Sequence, residues 1–166
     1  DEACASLREA LDCDFSKVLK LSDNGKAFNL VAGAGWNPGT IGKSEVTAGR
    51  HSQAGYTMLE EGAVLVADLE EEKRFEGPPL LKDHSVRSGI STVITVGQKP
   101  WGVIGLHDRK AGVFSHEDLS ILERVDFGRD FAIAVRTQHL LDHLDLFTDF
   151  IPEQHERPDR YEFGCK

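Results

Sequence analysis

Gly89-Ile-Ser-Thr-Val-Ile-Thr-Val96 and Trp101-Gly-Val-Ile-Gly-Leu-His107 stand either side of Gly97-Gln98-Lys99-Pro100, two apolar, β-branched runs parted by a turn-forming tetrad. Such a pair reads as an antiparallel hairpin, and it is the strongest strand signal in the chain. A second pair lies upstream. Phe15-Ser-Lys-Val-Leu-Lys-Leu-Ser22 and Ala27-Phe-Asn-Leu-Val-Ala32 flank Asp23-Asn24-Gly25-Lys26, whose Asn-Gly step supplies the positive φ angles of a tight turn. Between the hairpins, Ala63-Val-Leu-Val-Ala67 predicts one more short, buried strand.

The rest of the chain supplies helices and loops. Ala3, Leu7, Ala10 and Leu11 recur at helical spacing and predict an amphipathic helix over 2–13. Residues 52–61 predict a second helix, and Leu80-Leu-Lys-Asp-His84 about a turn and a half of a third after Gly77-Pro78-Pro79. Gly33 to Gly49 holds five glycines and Pro38 around Trp36, and reads as a loop. Ser115-His-Glu-Asp118 resembles a capping box, with a long helix following to about Phe150. The polar tail 151–166, punctuated by Pro152 and Pro158, stays unassigned. The expectation is one α+β domain over 1–150, a mostly antiparallel sheet with helices packed against it.

The chain has 166 residues, with 19 Lys and Arg against 28 Asp and Glu, a formal net charge of −9. That balance argues against nucleic acid, whose affinity comes from clustered basic side chains neutralising phosphates. No run approaches the ~18 apolar residues of a spanning helix, and Asp1-Glu2-Ala3-Cys4 has neither the basic start nor the apolar stretch of a secretory signal. Cys4, Cys13 and Cys165 are odd in number and lack C-x-x-C spacing, so neither a disulfide framework nor a zinc knuckle is indicated. A cytoplasmic protein with no direct membrane contact is expected.

Longer motifs add a family likeness. Ser52-Gln-Ala-Gly-Tyr-Thr57, Val66-Ala-Asp-Leu69, Glu72-Lys-Arg-Phe75, Pro79-Leu-Leu81, His84-Ser-Val86, Ser88-Gly-Ile-Ser91, the run Trp101 to His107 and Phe114-Ser-x-Glu-Asp-Leu119 together resemble a GAF domain, over roughly residues 5–137. The likeness is to GAF domains of bacterial sensor histidine kinases, diguanylate cyclases and related signalling proteins. It implies a sheet of five or six antiparallel strands, the terminal helices on one face and a ligand pocket on the other. Two departures stand out: Ser85 where this subgroup usually has glycine, and Asp108 where serine or threonine is commoner.

The resemblance also directs attention to subfamily chemistry. A covalently bound bilin would need a cysteine near Phe75, where the chain reads Arg74-Phe75-Glu76, so no such chromophore is expected. GAF-type methionine sulfoxide reductases depend on pocket cysteines, and none of the three here falls in the central region. Arg109-Lys110 ahead of Phe114-x-x-x-Asp118 matches the cyclic-nucleotide pattern only in part. The expected function is a sensory or regulatory module that binds an unidentified small molecule and passes its state to an output domain through the terminal helices. A ligand-free dimerisation scaffold is the alternative, and a small enzyme using histidine chemistry the third.

Candidate ligand-binding residues are Trp36, Gln53, Tyr56, Phe75, His84 and His107. Trp36 offers an aromatic face in a glycine-rich loop, although large aromatics also simply cap cores. Gln53 and Tyr56, three apart on one helix, can point polar ends into one cavity, or be a solvated amide and a core-edge tyrosine. His84 offers a ring nitrogen to a ligand, or caps the turn before it. His107 ends its strand with Asp108 on the opposite face, so the two cannot act as a simple dyad. Asp68, Glu72 and Arg74 read as a surface ion-pair group. His139 and His143, four apart on the last helix, suit two ligands of a metal, but no third ligand is evident and no metal is expected. Ile133, Thr137, Leu140, Leu144, Phe147 and Ile151 alternate spacings of four and three, predicting a homodimer through a helical seam.

Overall fold

The computed structural model describes residues 2–60, 62–96 and 99–124. The dimer seam, the His139 and His143 pair, Cys165, the tail 151–166 and the helix beyond residue 124 lie outside the described residues. Six strands form one sheet: β1 Phe15–Leu21, β2 Ala27–Ala34, β3 Glu45–Thr47, β4 Val64–Val66, β5 Ser88–Val96 and β6 Lys99–Asp108. Their order is β3-β2-β1-β6-β5-β4, and every neighbouring pair is antiparallel. The described helices are α1 Glu2–Ala10, α2 Gln53–Glu60, α3 Pro79–Lys82 and α4 His116–Glu123. The two hairpins read from the sequence are β1–β2 and β5–β6, and the class is α+β as expected.

Side chains alternate between faces along each strand. Val18, Ile90, Ile94, Ile104 and Leu106 share one face with Cys4 and Leu7 of α1 and Leu119 and Leu122 of α4. The other face carries Phe15, Leu19, Phe28, Leu30 and Val103, covered by Trp36, by Ala54 of α2 and by Leu80 and Leu81 of α3. Burying each large apolar side chain is worth roughly 1.5–3 kcal/mol, so both layers are needed to hold the sheet. The β1–β2 register shifts between Val18 and Leu19, pairing Val18 with Ala32 but Leu19 with Leu30. This bulge reverses the phase of β2. Phe28 and Leu30 consequently face α3, Ala32 joins the α1 side, and Gly33 comes to lie beneath the Trp36 indole.

Three local expectations are corrected. The glycine-rich stretch contains β3, whose buried Val46 sits between exposed Glu45 and Thr47 on the edge of β2; three residues are too few to display a period. On α1 the buried residue is Cys4 while Ala10 is exposed, because the helix docks through Cys4, Leu7 and the following Leu11. In the first hairpin turn only Gly25 has positive φ, at 68°; Asn24 instead uses its side-chain oxygen to accept from the Lys26 N–H at 2.9 Å and the Ser22 hydroxyl at 2.8 Å. The ion pairing expected on the loop of Asp68, Glu72 and Arg74 is present: Arg74 pairs with Glu72, and Asp68 with Arg87. Ser85 adopts φ 57°, a left-handed backbone, which gives glycine a physical advantage at that position.

The start of α4 is the capping box expected at Ser115. Its hydroxyl oxygen accepts from the Asp118 N–H at 3.3 Å, and the Asp118 carboxylate accepts from the Ser115 N–H at 2.8 Å. Hydrogen bonds from the Ser115 hydroxyl and N–H hold the Asp118 carboxyl below its usual range. Ser115→Ala is expected to cost about 1 kcal/mol by urea denaturation. Because the folded carboxyl is depressed, the contribution of Asp118 is present above its unfolded value and is lost as pH falls through the folded one. The Ser115→Ala difference should therefore shrink in acid, and a difference that stays constant from pH 7 to pH 3 would refute the assignment.

Candidate functional site

On the face opposite α1 and α4, the central strands set chemistry-bearing residues in rows. Lys17 of β1 stands opposite Gly105 of β6, which stands opposite Ser91 of β5; in the next row Phe15, His107 and Gly89 are aligned. The two glycines leave room that the His107 imidazole fills. A methyl group on Gly105 would lie 2.9 Å from Nε2 and 3.2 Å from Lys17 Cε, and one on Gly89 would overlap Nδ1. His107 is 0% exposed and Lys17 2%. Neither ring nitrogen of His107 has a hydrogen-bond partner among the described residues, and Lys17 forms no ion pair among them.

A buried charge without a partner is costly. Burial pushes the Lys17 ammonium down to about 7. His107 is held well below the usual imidazole range, first by its own burial and then by the neighbouring Lys17 charge. The imidazole is therefore neutral, with one donating and one accepting nitrogen.

Gln53 completes the group from above. The Ser52 hydroxyl oxygen accepts from the Gly55 N–H at 3.0 Å and donates to the Thr47 carbonyl at 2.6 Å, tying the start of α2 to the sheet edge. A methyl group on Gly55 would overlap the Gly49 carbonyl, so glycine is what permits this seat. Gln53 is 1% exposed and its Nε2 donates to Ser91 Oγ at 3.1 Å. Hydroxyl hydrogens settle which end of the amide is which. Thr57 gives its single hydrogen to the Gln53 backbone carbonyl at 2.8 Å, so Ser91 must donate across the 2.8 Å Thr57–Ser91 contact. Ser91 can then only accept from Gln53. The amide nitrogen faces Ser91, and Oε1 is the buried atom left without a donor among the described residues.

The other sequence-predicted residues divide into two groups. Trp36 stacks on Phe15 with ring centroids 4.6 Å apart and meets His84 at 5.0 Å and His107 at 6.2 Å, so Trp36, His84 and His107 are brought together. Both nitrogens of His84 are engaged: Nε2 accepts from the Asn37 N–H at 3.2 Å, which leaves Nδ1–H to donate to the Leu80 carbonyl at 2.8 Å. His84 thus pins the Trp36 loop to α3. Tyr56 and Phe75 form a separate pair, 5.3 Å between centroids, with the Arg74 guanidinium over both rings and the strand β4 residues Val64 and Val66 beneath. Asp108 points away from His107 and accepts from the Asp14 and Lys110 N–H groups.

Lys17 was not among the sequence candidates. The signal was present, since Phe15, Lys17, Leu19 and Leu21 alternate, and a lysine in phase with three large apolar residues on a strand shares their face. A cleft of about 560 Å³ also lies at the end of the sheet, lined by Leu69, Gly77, Lys82, Ser85, Arg87 and Arg109 among others. None of the six sequence candidates borders it.

Residues 1–135 match the family model of the GAF domain. The chain belongs to the GAF domain family. The present GAF domain is similar to the GAF domain of a phosphoenolpyruvate-protein phosphotransferase from Coxiella burnetii, at TM-score 0.69 and 18% identity over 89% of this chain and 83% of that one. It is similar to the GAF domain of the phosphoenolpyruvate-protein phosphotransferase from Acinetobacter, at TM-score 0.65 and 16% identity over 90% and 84%. A third likeness is to the type II free methionine-R-sulfoxide reductase of Thermoplasma acidophilum, at TM-score 0.61 and 21% identity over 75% and 82%. At these identities the likeness is one of fold. No curated protein matches the chain. No helix among the described residues of the GAF domain is long and apolar enough to cross a membrane.

Proposed function

We propose that this GAF domain is a non-catalytic sensory module of a cytoplasmic signalling protein, binding a small molecule against the β1–β6–β5 face and passing the bound state to an output domain through its terminal helices. One observation carries the reading. Gln53 Oε1 and both ring nitrogens of His107 are buried with no hydrogen-bond partner among the described residues, and the buried Lys17 beside them has no ion pair there; interiors seldom retain such groups unless something satisfies them. α1 and α4 pack on the reverse of the same strands, so a change in sheet curvature reaches them directly. A homodimer through the seam at Ile133, Leu140, Leu144 and Ile151 belongs to the same proposal, as does a kinase or two-component partner domain.

A second reading, the ligand-free scaffold, is favoured by the apolar cluster that fills much of the same face around Phe28, Leu30 and Val103. Thiol chemistry of the reductase kind finds little support. Cys4 packs on the α1 face and burial raises its thiol, and burial likewise pushes Cys13 up to about 11. Native mass spectrometry of the freshly purified protein separates the first two readings. A retained small molecule, lost on Lys17→Met, is the expected outcome. A wholly bare protein whose stability responds to no metabolite would leave the scaffold in place.

A further inference from the structure

We propose that the ligand is a small organic acid that also carries a hydrogen-bond donor, its carboxylate paired with the Lys17 ammonium and its hydroxyl or amine directed to Gln53 Oε1. This rests on the sensory reading above and deepens it to a chemical class. The donor and acceptor pattern of the site dictates the choice. As an ammonium Lys17 can only donate, and it calls for an anion more strongly than for a neutral oxygen, an anion in turn favouring the charged form that burial disfavours. Gln53 Oε1 can only accept, and the Thr57–Ser91 hydroxyl pair holds the amide in that orientation. His107 beside them offers one donor and one acceptor.

The register brings these demands to one spot. Ser91, which anchors the Gln53 amide, lies directly opposite Gly105, and Lys17 Cε lies over Gly105 from the other side. Neighbouring strands are about 4.8 Å apart, so β1 and β5 stand about 10 Å apart across Gly105, a span that a molecule of a few heavy atoms bridges between the two side chains. A carboxylate alone leaves Gln53 Oε1 without a donor, and a neutral alcohol leaves Lys17 without a counter-ion. An acid with an adjacent hydroxyl or amine satisfies both. The faces of Phe15 and Trp36 are already stacked on one another, so the site selects by polar pairing instead of by aromatic sandwiching.

Three near-isosteric probes test this by calorimetric titration of the full chain: lactate, with acid and donor; propionate, with acid only; lactamide, with donor only. Lactate is expected to bind at least tenfold more tightly than propionate, with no response to lactamide. Lys17→Met should abolish the response to both acids, and Gln53→Met should remove the advantage of lactate while keeping propionate binding. Circular dichroism and urea denaturation establish that each variant is folded. Binding of lactamide as tight as that of lactate would overturn the acid assignment while leaving the sensory reading intact. Acid binding that survives Lys17→Met would place it elsewhere and overturn the inference. Failure of both acids to bind, the result of Lys17 and Gln53 satisfying one another, would also overturn it, and together with a bare native mass spectrum would remove the sensory reading as well.

Discussion

Lys17→Met is expected to stabilise the ligand-free domain by about 4 kcal/mol at pH 7, an unusually large gain for a single substitution. Methionine retains the length of the stem and removes the charge, so little volume is lost. In the unfolded chain the ammonium titrates near 10.5, and in the folded one near 7 because it is buried. Between those values the unfolded state binds a proton that the folded state does not, so wild-type stability rises with pH, by about 1.4 kcal/mol per unit. The penalty is full below pH 7 and vanishes above about pH 10.5. His107, the titratable group packed against Lys17, stays neutral throughout this window, since its own value lies well below the usual range. The difference between variant and wild type should accordingly shrink between pH 7 and pH 10 in urea titrations of protein stripped of small molecules by refolding. A difference that does not change with pH, or a destabilised variant, would show that the ammonium is solvated in the folded state.

Phe15→Ala is the substitution expected to do most damage, about 3–5 kcal/mol. The ring is 0% exposed, stacks on Trp36, meets the His84 edge at 5.8 Å and lies 4.4 Å beneath the Arg109 guanidinium. Its loss opens a cavity at the place where β1, the Trp36 loop and α3 meet. Phe15→Leu keeps most of the volume and should cost less than about half as much. Urea denaturation of both variants checks the ratio, and equal costs would mean that the aromatic stacking, not the filled volume, dominates.

The hairpins were legible because alternating β-branched residues and a turn-forming tetrad are local signals, complete within about twenty residues. β3 was not, since its three residues acquire strand character only from pairing with β2. The same distinction runs through the site. The alternation of β6 was enough to put His107 and Asp108 on opposite faces, but the grouping of Trp36 with His84 and His107 depends on the bulge at Val18 and Leu19, which no periodicity announces. Tyr56 and Phe75 share the aromatic character of Trp36 and yet form their own pair at the β4 edge, because helical spacing gives a face and not a depth. Lys17 was passed over because lysine is ordinarily a surface residue. Its strand phase carried the contrary information.

The central partners of the sheet, β1 and β6, come from opposite ends of the described chain, and the hydrogen bond between the Asp14 N–H and the Asp108 carboxylate spans 94 positions. Each flanking hairpin closes locally and quickly, whereas joining the two halves requires a long loop to be closed before any contact across the seam offsets its entropy. Folding is thus divided into an early, separable pair of hairpins and a late mating step between them. The rows that hold Lys17, Gly105 and Ser91 run across that late seam, so during synthesis on the ribosome this buried polar group is not assembled until β6 has emerged, and a nascent chain paused before residue 99 can present the β1–β2 hairpin without it.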